Sequence, residues 1–218
     1  MCIRYQKGQN QLIRWSEQIE AWLALEDWAE GEDTFPGTLA PVVAPDLEHG
    51  RAMISAQWGI VPPWAKDASF GKKNAYNARA ETLLEKPTFR AAFKKRRCVV
   101  PATAFFERKL GRWIRFAAVG GVLPLAGLYE AANALCNVPS FALVTTDPNE
   151  VVSEVQDRMP VVLAAEDLLR WLDPETDLGE LRRLLGPCPP DWMTAEDAGP
   201  IGKKIAKDKS LFDEWEPC

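Results

Sequence analysis

Residues 98–129 read CVVPATAFFERKLGRWIRFAAVGGVLPLAGLY, and this stretch decides the fold class. Cys98-Val99-Val100, Ala104-Phe105-Phe106, Trp113 to Val119 and Leu123 to Tyr129 are short β-like runs, and Phe141 to Thr145 adds a fifth. β-Branched and aromatic side chains in such runs suit a pleated, half-buried surface. Working outward, Arg51 to Ile60 reads as a further strand that Pro62-Pro63 stops, and Pro160 to Leu163 as another. Helical spacing is confined to the flanks. Ser16 reads as the N-cap of a helix reaching about Trp28, with Ile19, Trp22 and Leu23 on one stripe. Ala80 to Phe93, Ala165 to Leu172 and Leu178 to Leu185 also read as helical, Pro87 starting a new turn. The sequence shows no internal repeat, linker or low-complexity tract. The expectation is a single α+β domain over 1–218, with a β-rich, barrel-like core of short strands, peripheral helices and an irregular, polar tail over 191–218.

Composition narrows the function. The 218 residues are 47% hydrophobic and 26% charged, enough to bury a substantial core. No stretch approaches the roughly 18 apolar residues of a membrane-spanning helix. The opening MCIRYQKGQN lacks the apolar region of a secretory signal. The five cysteines (Cys2, Cys98, Cys136, Cys188, Cys218) are scattered without a CxxC. This pattern argues against a zinc site or a disulfide framework and points to a cytoplasmic protein. One histidine, His49, stands in the turn-like Glu48-His49-Gly50. A two-histidine metal site is therefore excluded, as is any Ser-His or Cys-His dyad not built on His49. Proton transfers in an enzyme of this composition fall to carboxylates or an amine.

Charge is unevenly spread. The formal net charge is -5, which by itself disfavours a nucleic-acid binder. Yet residues 66–115 hold 14 basic and four acidic side chains, a net +10 against -15 for the rest. Such asymmetry suggests a basic face for phosphates on an acidic body, with ordinary solvated lysines as the plain alternative.

Several blocks occur in a fixed order: Met1-Cys2-Ile3-Arg4, Trp58-Gly59-Ile60-Val61-Pro62-Pro63-Trp64, Asn77-Ala78-Arg79-Ala80-Glu81-Thr82, Arg97-Cys98-Val99-Val100-Pro101-Ala102, Phe105-Phe106-Glu107, Ala126-Gly127-Leu128-Tyr129-Glu130 and Asp157-Arg158-Met159-Pro160. Their order resembles the SRAP (SOS response-associated peptidase) family of abasic-site processing proteins, over roughly residues 1–190. The resemblance implies a DNA-damage (SOS) role on single-stranded DNA containing abasic sites, whose ring-opened sugar presents an aldehyde. It implies Cys2, freed of Met1, as the group that closes a thiazolidine crosslink on that aldehyde, with Glu107 as its proton shuttle. Asn77 matches a residue that orients the sugar or the Cys2 end. Arg4, Arg79 and Arg158 match positions that hold phosphates, for which a planar guanidinium is well shaped. Trp64, after two prolines, offers a face for an unpaired base, whereas Trp58 fits the core equally well. No metal or organic cofactor and no membrane is implied, and no protein partner is indicated.

The chemistry suits this position alone. An N-terminal amine titrates at ~7.7–8.0, so part of it is unprotonated at neutral pH. The β-thiol of the same residue lies within intramolecular reach of the imine that the amine forms. The sequence departs from the family at three places beside the site. Gln156 stands where a histidine is usual, and glutamine cannot transfer a proton at neutral pH. Arg108 replaces a tryptophan, and Ile3 a glycine. Two other readings therefore stay open: a single-strand-binding module that has lost the chemistry, and a thiol autopeptidase (a hydrolase acting on its own Met1) with Cys2 as nucleophile.

Overall fold

A computed structural model describes residues 2–24 and 33–201. In chain order its strands are β1 (Tyr5–Gln6), β2 (Trp22–Leu23), β3 (Asp33–Thr34), β4 (Leu39–Asp46), β5 (Gly50–Trp58), β6 (Asn77–Arg79), β7 (Arg97–Ala102), β8 (Ala104–Lys109), β9 (Arg112–Ala118), β10 (Leu123–Glu130), β11 (Ser140–Thr146), β12 (Met159–Pro160) and β13 (Met193–Pro200). The α-helices are α1 (Gln9–Gln18), α2 (Ser69–Asn74), α3 (Pro87–Lys95), α4 (Glu150–Ser153), α5 (Leu168–Leu172) and α6 (Leu178–Arg183).

The strands β5, β4, β7, β10 and β11 are hydrogen-bonded in that order, each antiparallel to the next. A short parallel pairing, Ser140 with Gln57 and Phe141 with Trp58, joins β11 back to β5 and closes the five into a barrel. The sequence explains why both faces of these strands are apolar. Along β7, Cys98 and Val100 point into one core with Trp58, Phe105 and Phe141, whereas Val99 joins a second core. That second core, with Phe93, Trp171 and Leu172, lies under α3 and α5. In β11, Phe141 and Leu143 share the first core while Ala142 and Val144 share the second. Side chains alternate across a strand, so a strand covered on both sides needs unbroken hydrophobicity. Fold class is as the sequence implies: α+β, with a sheet-rich core and peripheral helices.

A second sheet, in the order β13-β9-β8-β1-β3, carries the N-terminal strand. Only Thr103 separates β7 in the barrel from β8 in this sheet, so Phe105 still reaches the barrel core. Close backbone contact fixes the far end of β5. Gly59 has φ 128°, and a Cβ placed on Gly71 at the start of α2 would lie 2.1 Å from the Gly59 carbonyl oxygen. Only glycine admits that approach.

Several expectations need correction. Ser16 does not begin a helix; it is buried in α1 and its hydroxyl donates to the Ile13 carbonyl at 2.7 Å. Trp22 and Leu23 form β2, parallel to β5, and residues 25–28 of the expected helix lie outside the described residues. The segment from Gly186 includes β13, which pairs along β9 from Ala118 to Arg112. Cys2, Cys98 and Cys188 are free and buried.

The basic stretch is also less available than its charge suggests. Lys95, Arg96, Arg112 and Arg115 pair with Glu175, Glu130, Asp197 and Glu196, all outside the 66–115 window. Arg97 is 1% exposed and donates to the carbonyls of Phe93, Lys94, Trp171 and Asp173, tying α3 and α5 together.

Candidate functional site

The site is assembled where β1, β6, β8 and the turn before β12 meet. β1 lies between β3 and β8, with Tyr5 opposite Phe105 and the Phe106 amide donating to the Arg4 carbonyl at 3.0 Å. This pairing seats Cys2 at 1% exposure beside the far end of β8. Along β8, Phe105 belongs to the barrel core whereas Phe106 packs with Trp113. Glu107 alternates onto the Phe105 side and is 2% exposed.

Asn77 reaches the other side of Cys2. Its Nδ2 donates to the Cys2 carbonyl at 2.7 Å, and its Oδ1 is buried without a partner. Trp58 sets that reach. It is fully buried in the core, stacks at 8° on Phe141, lies 5.1 Å from the Tyr5 ring, and donates from Nε1 to the Tyr76 carbonyl at 2.8 Å. One indole thus fixes the residue before Asn77 and the strand after Cys2. Gln156 completes the group, its Nε2 donating to Glu107 Oε2 at 3.4 Å.

The electrostatics follow from burial. Burial pushes the Cys2 thiol far above its ordinary value, and the adjacent Glu107 carboxylate pushes it further in the same direction. The Glu107 carboxyl is itself raised, again chiefly by burial. Both groups are thereby shifted toward their protonated forms. His49 lies apart from them: it is exposed, stacks on Trp22 at 4.1 Å, and has Nδ1 3.0 Å from Asp46 Oδ1. Among the described residues there is no cluster of three or more side chains able to hold a metal ion, and no helix long and apolar enough to cross a membrane.

The structure brings Cys2, Asn77, Glu107 and Gln156 together, and distributes the remaining candidates differently. Arg4 is paired with Asp33 at 2.7 Å and lies over Phe106, its Cζ 4.0 Å from the ring centre. Arg158 is engaged by Glu81 and Asp147, not by Asp157 or Glu154. Arg79 ends β6 with its side chain in solvent. Trp64 is 56% exposed and meets Phe70 edge-on at 5.5 Å; no contact ties it to the four central residues. Two departures from the family pattern have a visible accommodation. Ile3 packs on the Phe106–Trp113 cluster, and Arg108 lies over Trp113 at 4.8 Å. Sequence reasoning missed Asp33, Glu81, Asp147 and Trp113; Asp33 and Glu81 reach their arginines across 29 and 77 positions, whereas Asp147 and Trp113 are nearer in the chain and are brought beside Arg158 and Arg108 by the fold.

A family model described as SOS response associated peptidase (SRAP) matches residues 1–206. The chain is similar to the abasic site processing protein YoqW of Bacillus subtilis (strain 168), 41% identical over 149 residues, which are 64% of this chain and 66% of that one. It is 28% identical over 230 residues to the abasic site processing protein HMCES of Mus musculus, covering 84% of this chain and 64% of that one. The match therefore spans just under two thirds of these relatives. Among solved structures, a protein from Bacteroides thetaiotaomicron superposes with a TM-score of 0.80 at 24% identity, over 94% of each chain. One from Bordetella bronchiseptica does so with a TM-score of 0.77 at 26% identity, over 90% of this chain and 99% of that one.

Proposed function

We propose, from the premise that this chain belongs to the SOS response associated peptidase (SRAP) family, that it binds single-stranded DNA at abasic sites and captures the opened sugar on Cys2. The carrying observation is the junction at Cys2, with its carbonyl held by Asn77 and its thiol beside the protonation-prone Glu107.

The chemistry balances without a cofactor. Once Met1 is removed, the Cys2 amine adds to the sugar aldehyde and forms a carbinolamine. Glu107 in its acid form protonates the departing hydroxyl, one water leaves, and a protonated imine remains beside the Glu107 carboxylate. The Cys2 thiol then adds across the C=N bond: sulfur bonds to carbon, the thiol proton passes to the Glu107 carboxylate and restores its acid form, and the imine N–H stays on the ring nitrogen. A buried thiol favours this order, since the amine is the better nucleophile until an imine is within reach. The unpartnered Asn77 Oδ1 offers an acceptor for the Cys2 amine or a sugar hydroxyl. Arg4, Arg79 and Arg158 serve the flanking phosphates and Trp64 a neighbouring base.

The same burial weighs against a conventional thiol peptidase, which needs a thiolate and a base beside it. Gln156 specifically favours a second reading, binding without chemistry, because it holds Glu107 yet carries no transferable proton. Intact-mass analysis after incubation with a single-stranded oligonucleotide bearing one abasic site separates the two. The expected result is a denaturation-resistant adduct on methionine-free protein, absent in Cys2→Ala. Methionine-free protein that binds the strand without an adduct would establish the binding module instead.

A further inference from the structure

Arg158 has five N–H bonds, and four are taken. Its Nη1 donates to Glu81 Oε1 at 2.8 Å and Asp147 Oδ1 at 3.2 Å; its Nη2 donates to Glu81 Oε2 at 3.0 Å and the Thr145 carbonyl at 2.6 Å. The fifth, on Nε, is buried without an acceptor. A phosphate can meet this guanidinium only at Nε or where a present acceptor leaves.

The three acceptors are held unequally. Glu81 grips with both oxygens, and the hydrogen bond from Arg158 holds its carboxyl below the usual carboxylate range. The Thr145 carbonyl is part of β11 and cannot move independently. Asp147 contributes one bond, the longest of the four, from a side chain 82% exposed in the stretch between β11 and α4. We infer that Asp147 is a displaceable competitor for a DNA phosphate at Arg158. This inference rests on the reading of the chain as a single-strand-binding protein. In the free protein Asp147 satisfies an Nη1 hydrogen that would otherwise lack an acceptor. On binding, a phosphate oxygen takes that hydrogen and Asp147 turns into solvent, while Glu81 and Thr145 keep the guanidinium plane fixed. Part of the binding energy is thereby returned to the aspartate, so only a strand whose phosphate reaches Arg158 in register gains from it.

The test is the affinity of the full chain for an intact single-stranded oligonucleotide, measured by fluorescence anisotropy at fixed salt. Asp147→Ala should bind about two- to fivefold more tightly, the gain expected from removing one exposed ion-pair competitor. Asp157→Ala is the control, because Asp157 is also an exposed aspartate, next to Arg158 in sequence, but does not touch it. It should leave affinity unchanged. In an Arg158→Gln background, or Arg158→Lys if that variant folds better by its melting curve, the gain from Asp147→Ala should disappear. Equal gains from the two alanine variants would mean bulk charge and would overturn the inference. So would an unchanged or weaker Asp147→Ala, or a gain that persists without Arg158. An unsubstituted protein that does not bind the strand overturns the parent reading, and this inference with it.

Discussion

Replacing Glu107 by glutamine isolates the proton transfer from everything else the side chain does. The amide has the carboxylate's shape, and its oxygen can still accept from Gln156 Nε2, now 3.4 Å from Glu107 Oε2. The arginines proposed for phosphate, Arg4, Arg79 and Arg158, lie outside β8, so the substitution should leave them in place. What is lost is a group able to give and take a proton, worth roughly 10²–10⁴-fold in rate, or about 3–5 kcal/mol of barrier. The assay is single-turnover adduct formation on a denaturing gel at saturating oligonucleotide, with anisotropy for affinity. Stability supplies an independent control. Burial raises the folded-state pKa of Glu107, so its stabilising effect is present below the unfolded value, about 4.3, and is lost as pH rises through the folded value. Glutamine mimics the protonated form, so Glu107→Gln should melt no lower than the parent at neutral pH, with any advantage shrinking toward pH 4. An adduct rate within threefold of the parent would refute the assignment of Glu107. So would a loss of affinity that matches the loss of rate.

Three further outcomes follow from described contacts. Gln156→His restores a group that titrates near neutrality beside Glu107, so adduct formation should quicken, most at pH 6–7 where imidazole exchanges protons freely; an unchanged or slower rate excludes position 156 as the missing acid–base group. Asn77→Ala removes the grip on the Cys2 carbonyl and should slow the adduct more than it weakens binding to an intact strand, as read by the ratio of the two losses. Arg97→Ala removes the donor from four carbonyls, and the two buried ones, of Phe93 and Trp171, cost about 1–3 kcal/mol each, so urea unfolding should show a loss of several kcal/mol, with Arg97→Lys recovering part.

Of the five barrel strands, β5, β7, β10 and β11 were legible because each carries an apolar run that ends at a turn; β4 was not, because Pro41 and Pro45 inside it read as loop. Val99 and Val100 belong to different cores, and either alone would mark the run as buried. α1 was not legible: its sequence, QNQLIRWSEQ, is mostly polar and buries only Leu12, Trp15 and Ser16. The three apolar residues that follow mimic a helical stripe, yet Trp22 and Leu23 are drawn into a parallel edge strand by β5. β13 was invisible for the opposite reason. It is solvent-facing along almost its whole length, so it has no hydrophobic period to detect and is specified by backbone pairing to β9. At the site, residue identity named Cys2, Asn77, Glu107 and Gln156 only through resemblance, and the fold supplies their contacts. The arginines were overread. A guanidinium's role depends on which acids arrive beside it, and Glu81 lies 77 positions from Arg158.

The seating of Cys2 also has a consequence in time. β1 is held on one side by β8, whose last residue, Lys109, leaves the ribosome long after residue 2. At about 5–20 residues per second, the N-terminus waits roughly 5–20 s before its partner strand exists. Throughout that interval the chain end has no β8 to pair with and is open to an aminopeptidase. Afterwards Cys2 is buried beside β8 and its carbonyl is bound by Asn77. Removal of Met1, which the proposed chemistry requires, is therefore expected during synthesis, before β8 closes over Cys2.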